Sequence, residues 1–285
     1  MRADSLKAFA RILRGNLDLT VSLLILLILA ILALLGPLLW PHDPLAISLR
    51  ETLQPPSLSH PMGTDHIGRD IFARFNKGAL ISLSVGAAVV ITGAVAGGMI
   101  GLISGISGGI FDNALMRLMD AILAFPPLIL AMAVTVGLGG GLETAAFGIM
   151  LTSVPYYARL IRSDVIRIRM LPFVEAAVTA GAGPARIILR HIVPHTVSTL
   201  LIQAAALFGY SVLALAALGF VGLGTQVPTP EWGVMITEGL QYALTGQWWI
   251  GVFPGLGLLA AVAATSIIAD KVRDLVDPRG QYAQL

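Results

Sequence analysis

The stretch Gly78–Phe111 reads GALISLSVGAAVVITGAVAGGMIGLISGISGGIF, 34 residues without one Asp, Glu, Lys or Arg. A hydrocarbon core about 30 Å thick is crossed by roughly 20 apolar residues in a helix. A charge at its centre costs about 2.5–3.5 kcal/mol, so a run this long and this clean predicts a membrane span. Similar runs lie on both sides of it: Leu19–Trp40, Ala121–Leu142, Thr144–Ala158, His191–Pro230 and Gly239–Ala269. The shortest, Thr144–Ala158, extends toward Arg159 and Arg162, whose stems can snorkel. The two longest that follow must include loop, as Gly222, Gly224, Pro228 and Pro230 indicate. The expectation is an all-α integral membrane protein with six transmembrane helices. Five is the competing count, because only Glu143 separates the third run from the fourth.

Composition agrees. Of 285 residues 56% are hydrophobic and 12% charged, about half the charge of a soluble domain, and the mean hydropathy is +0.85. Too little polar side chain remains to cover a water-facing globule, which excludes a soluble enzyme and a disordered chain. Cysteine is absent, which excludes disulfides, thiolate metal sites and cysteine nucleophiles. A formal charge of +2 is too small to suggest a nucleic-acid partner.

The placement of the cations says more than their sum. With six spans, Arg2, Lys7, Arg11, Arg14, Arg117, Arg159, Arg162, Arg167, Arg169, Arg186, Arg190, Lys271, Arg273 and Arg279 share one side. The other side keeps Arg50, Arg69, Arg74 and Lys77. Positive charge stays cytoplasmic, so both termini are expected inside, with the first helix retained as an anchor rather than cleaved. The loop from about Pro41 to Lys77 begins with irregular, proline-rich chain. Its end, through Ile67, Ile71, Phe72 and Phe75, has helical spacing and reads as a short interfacial helix, with Asp70 and Arg74 as an i,i+4 pair.

The only long polar segment among the later spans is SDVIRIRMLPFVEAAVTAGAGPARIILRHIVPH, residues 163–195. Pro172 can open a short helix, Gly181 or Gly183 can end it with left-handed backbone, Pro184 can open a second, and Pro194 leads into the fifth span. The product is a compact cytoplasmic knob. Its small residues Ala176, Ala177, Ala180, Gly181 and Ala182 would let a partner approach closely, and Glu175 supplies one directional charge.

Glu175-Ala176-Ala177, three residues, Gly181 and then Pro194 resemble the EAA loop of permease subunits in binding-protein-dependent ABC importers. That pattern has an apolar residue where His191 stands and leucine where Val193 stands. The dipeptide, oligopeptide and nickel branch of the family is resembled along most of the chain. His60-Pro61-Met62-Gly63-Thr64-Asp65-His66-Ile67-Gly68-Arg69-Asp70 is similar to its GTDxxGRD signature. Asp120, Phe125 and Pro126 resemble its third-helix pattern, Phe220–Gly224 with Pro228–Gly233 its FLGLG…PTPEWG stretch, and Arg273–Arg279 its LRDxLDPR ending.

The resemblance implies a type I importer (MetI-like) transmembrane fold with an extra N-terminal helix. Residues 1–78 would form the tail, first helix and external loop, and 79–285 a five-helix core carrying the coupling loop at about 163–195. It implies a bacterial plasma-membrane location and partnership with a second permease subunit, two cytoplasmic ATPases and an external substrate-binding protein, all set in membrane lipid. Glu175, Ala176, Ala177 and Gly181 would be the ATPase-coupling residues, with Arg186, Arg190 and His191 as neighbours. The chain has no G-x-x-x-x-G-K-[ST] phosphate loop, so ATP and Mg would sit on the ATPase subunits and this chain would hold no cofactor. Dipeptides or oligopeptides are the expected cargo, with nickel or glutathione as alternatives. An ion-coupled secondary transporter is the rival class, disfavoured because the six runs contain no charge at their centres.

Other polar and aromatic side chains have the chemistry for a site. His42, Asp43, His60, Asp65, His66 and Asp70 crowd the first outside loop, but no ligand spacing orders them, so no metal role is assigned; Asp65 reads as a helix cap. Asp120 is expected to pair with Arg117, Glu143, Glu231 and Glu238 to be solvated interface charges, and Trp40, Trp248 and Trp249 to be belt anchors. Ser153, Tyr156 and Tyr157 could line a path or bond neighbouring helices.

Overall fold

The computed structural model describes residues 15–276. Among these, ten α-helices follow one another: α1 Leu17–Leu39, α2 Ile71–Ser107, α3 Gly109–Leu123, α4 Pro127–Gly137, α5 Leu142–Arg169, α6 Pro172–Thr179, α7 Pro184–Ile187, α8 Val193–Phe220, α9 Trp232–Ala243 and α10 Trp249–Val276. A π-turn, Ile188–Ile192, joins α7 to α8. The Lys/Arg-rich N-terminal tail and the end of the C-terminal motif, residues 277–279, lie outside the described residues.

By length and hydropathy, α1, α2, the continuous α7–α8 rod and α10 can each cross a membrane. The pair α3 and α4, bent by 89°, makes a fifth candidate. Helix α5 has the length but carries Arg159, Arg162, Arg167 and Arg169 in its second half. The expected six is therefore an approximate count.

Directions along the chain give it more shape. Gly93 faces Ser153, Gly97 faces Val154 and Tyr157, Gly101 faces Ala158 and Arg162, and Gly105 faces Val165, so α2 and α5 run parallel. Gly86 lies against Val212 and Gly98 against Leu200, so α8 runs antiparallel to α2. Two parallel helices joined by residues 108–141 require that segment to return to the starting side, and α3–α4 makes that return. The expectation of one straight helix over Ala121–Leu142 is corrected here. The chain turns at Ala124–Pro126, because Pro126 has no N–H to give and holds Phe125 out of helical backbone.

The four glycines Gly93, Gly97, Gly101 and Gly105 sit one helical turn apart and form the floor on which α5 lies. A Cβ on Gly97 would stand 2.5 Å from the Val154 carbonyl oxygen and 2.6 Å from Tyr157 Cβ. Apolar burial adds little between helices in lipid, so close backbone approach through small residues is what holds such a pair.

Candidate functional site

The chain carries polar structure at both ends of the helix bundle. At one end stands the knob. Helix α6 opens with Pro172 at its first turn, Glu175 lies in that turn where the helix dipole favours an acid, and Gly181 ends it at φ +81°. Pro184 then opens α7. Glu175, Ala176, Gly181, Arg186 and Arg190 are exposed; Ala177 and His191 are half-buried. The knob is fastened from below, where Val174 and Ile192 join Ile161, Val165 and Ile168 of α5 in one buried cluster. Phe173 stacks on His195, ring centroids 5.3 Å apart.

The ground beneath the knob is cross-braced. Arg162 of α5 grips Asp112 of α3 with two hydrogen bonds of 2.6 Å, and Ser104 of α2 donates to the same carboxylate. Arg169 donates at 2.9 Å to the carbonyls of Gly105 and Ile106, the last turn of α2. These bonds tie α2, α3 and α5 into one unit at the foot of the knob. A cavity of about 370 Å³, lined by Ile106, Arg169, Val174, Val178 and Ile187 among others, opens beside it. Asp120 does not pair with Arg117 as expected; it meets Arg159 of α5, which lies across from it where the two helices pack.

The opposite end departs most from expectation. No separate interfacial helix covers Ile67–Phe75: residues 64–70 form a knot of turns, and α2 starts at Ile71 as one 37-residue helix. Asp70, not Asp65, is its cap, accepting from Ala73 N at 2.6 Å. Asp65 instead ties the knot by accepting from the Ile67 and Arg69 amides at 3.0 and 2.9 Å and from Arg69 Nε at 2.6 Å. Gly68, at φ +78°, lies so close to the Ser48 carbonyl that no side chain fits. The Arg74 side chain does not meet the Asp70 carboxylate. Its Nη2 reaches Glu238 of α9 at 2.6 Å, and Arg69 Nη2 reaches the other oxygen of the same carboxylate at 3.1 Å. Both arginines are 1% exposed.

Glu231, too, is buried rather than solvated. It caps α9 by accepting from Val234 N, and accepts from Ser82 Oγ at 2.9 Å. Burial raises its carboxyl above the usual carboxylate range, with the Gly233, Ser82, Val234 and Trp232 hydrogen bonds acting against that. Gly219 leaves the room it occupies. Trp249 is buried, its indole donating to the Thr64 carbonyl at 3.1 Å, and Trp40 donates to Asp70 at 3.1 Å; only Trp248 stands half-exposed as an anchor would. Ser153 and Tyr157 are buried against α2, whereas Tyr156 remains exposed. Of the outside-loop acids and histidines, His42, His60 and Asp70 come together, with ligand atoms within 4.8 Å of one another; Asp43, Asp65 and His66 do not join them.

Residues 97–281 match the family described as binding-protein-dependent transport system inner membrane component. Residues 8–56 match the N-terminal TM domain of oligopeptide transport permease C. The chain is 38% identical over 267 residues to the probable D,D-dipeptide transport system permease protein DdpC of Escherichia coli K12, covering 94% of this chain and 89% of that one. It is 38% identical to the dipeptide transport system permease protein DppC of Alkalihalophilus pseudofirmus (96% and 89% covered). Identity to the glutathione transport system permease protein GsiD of Pectobacterium atrosepticum is 34% (94% and 89%). Among solved structures, the inward-facing MetNI methionine ABC transporter superposes with a TM-score of 0.54 at 21% identity, over 70% of this chain and 95% of that one. An amino acid ABC transporter with histidines gives 0.53 at 17%, over 72% and 94%. These two likenesses speak for the fold alone.

Proposed function

The chain belongs to the family of binding-protein-dependent transport system inner membrane components, and from that premise we propose that it is the peptide-conducting permease of an ATP-driven importer. Its cargo is dipeptides or oligopeptides, the solutes named for the relatives it matches over nearly its whole length. A second permease subunit completes the path, the knob of each permease seats in a cleft on one of two ATPases, and an external binding protein delivers the cargo. The knob and both termini face the cytoplasm of a bacterial inner membrane. Residues 1–78 serve as anchor and external loop, and 79–285 as the moving core.

One observation carries the coupling role. The exposed α6–Gly181–α7 knob stands on Val174 and Ile192, which are buried in the same cluster as α5. A push on its surface therefore reaches α5 and, through Arg162, Asp112 and Arg169, the end of α2. Glu175, Ala176, Ala177 and Gly181 meet the ATPase cleft. Arg186, Arg190 and His191 flank that contact.

The test uses the whole importer in proteoliposomes. Glu175→Lys and Gly181→Asp are expected to insert and assemble normally yet lose ATP-driven dipeptide uptake. Undiminished uptake by both variants refutes the coupling role. Uptake of glutathione in place of dipeptide, with coupling intact, reassigns only the cargo.

A further inference from the structure

The knot that caps the start of α2 holds a constellation far from the knob. His60 is 4% and Asp70 3% exposed, and His60 Nδ1 lies 2.7 Å from Asp70 Oδ2. The His42 ring packs 5.0 Å from that of His60 and 5.7 Å from Trp40. No hydrogen bond is made by its nitrogens to the described residues, although one of them comes within 4.8 Å of the donor atoms of His60 and Asp70. On the far side of the His60 ring, Nε2 lies 4.0 Å from a Glu51 carboxylate oxygen.

We propose that His42, His60 and Asp70 form a binding site for a divalent transition-metal ion of the zinc type. Two imidazole nitrogens and one carboxylate oxygen are the donors a borderline-soft ion selects over Mg²⁺ or Ca²⁺. An ion with bonds of about 2.0–2.2 Å fits between His60 Nδ1 and Asp70 Oδ2 once they part slightly. It takes the place of the hydrogen between them, and the neutral imidazole carries its one N–H on Nε2. Rotation of His42 closes the third bond. Glu51 then stands where a ligating histidine needs an outer carboxylate, to receive the N–H of its other ring nitrogen. Asp70 and Glu51 together balance the charge of the ion. The site would fasten the segment after α1 to the cap of α2, and it does not depend on the transport reading.

The experiment takes the full-length chain in lipid nanodiscs, stripped with chelator and titrated with Zn²⁺ against a chromophoric competitor. One ion per chain, bound in the micromolar range or tighter and not displaced by millimolar Mg²⁺, is the expected result. His42→Gln should weaken binding at least about tenfold, while Asp43→Asn, which keeps the turn bond to Leu45 N, should not. His42→Cys supplies a different zinc ligand and should restore affinity, which separates ligand loss from misfolding. Absence of saturable binding, equal affinity in His42→Gln, or displacement by Mg²⁺ overturns the proposal.

Discussion

The acidic cap of α9 and an acid within it show how burial decides what a charge does. Glu238 shares Arg69 and Arg74, both nearly inaccessible to solvent, with Asp65, whose carboxylate lies 2.6 Å from Arg69 Nε and 3.7 Å from Arg74 Nε. Removing one partner of a buried pair leaves the other charge uncompensated, at a cost of about 3–5 kcal/mol. Asp65 still faces both arginines in Glu238→Gln, so the variant should unfold earlier by less than that in a denaturant titration of the purified protein. Glu231 behaves in the opposite sense. Its carboxyl, raised by burial, stays protonated in the folded chain at pH values where the unfolded chain has already ionised. The unfolded state thus binds fewer protons, and stability falls as pH rises from the ordinary glutamate value toward the raised one. Glu231→Gln cannot ionise, so its thermal midpoint should gain on wild type across that window and level off above it. Equal pH slopes for the two proteins would show that Glu231 titrates normally.

At the scale of elements, the close contact of α2 and α5 rests on glycines. Gly97→Val would drive a branched side chain into the Val154 carbonyl and Tyr157. Overpacking of this kind costs about 1–3 kcal/mol, read as an earlier unfolding midpoint in detergent. The spacing Gly93, Gly97, Gly101, Gly105 is present in the sequence, but a four-residue period of glycines does not by itself say which helix lies on it. The knob was legible in detail, because Pro172, Gly181 and Pro184 each act on local backbone and leave little for tertiary context to change. The outside-loop knot was not. Asp65, Arg69, Asp70 and Arg74 fit helical spacing, but their partners Glu238 and His60 are set by folding at long and medium range, which no local pattern encodes. The break in α3–α4 was marked by Phe125-Pro126-Pro127, yet an unbroken apolar run outweighed it in the reading of spans.

For the molecule as a whole, alternating helix directions fit a chain whose knob and outside-loop knot lie on opposite faces of the membrane. In intact cells or sealed right-side-out vesicles, Ser57→Cys, exposed in the loop before α2, should react with a membrane-impermeant thiol reagent. Arg186→Cys in the knob should react only after the membrane is opened. The reverse pattern inverts the topology. Helix α2 runs unbroken from the Asp70 cap to Ser107, about 55 Å at 1.5 Å per residue, with arginine clasps at both extremities. It is a lever with no hinge. A tilt of about 5° pivoted near the knob would sweep the far tip by about 5 Å over that length, enough to drag the Arg69–Arg74–Glu238 clasp, and α9 with it, across the mouth of the bundle.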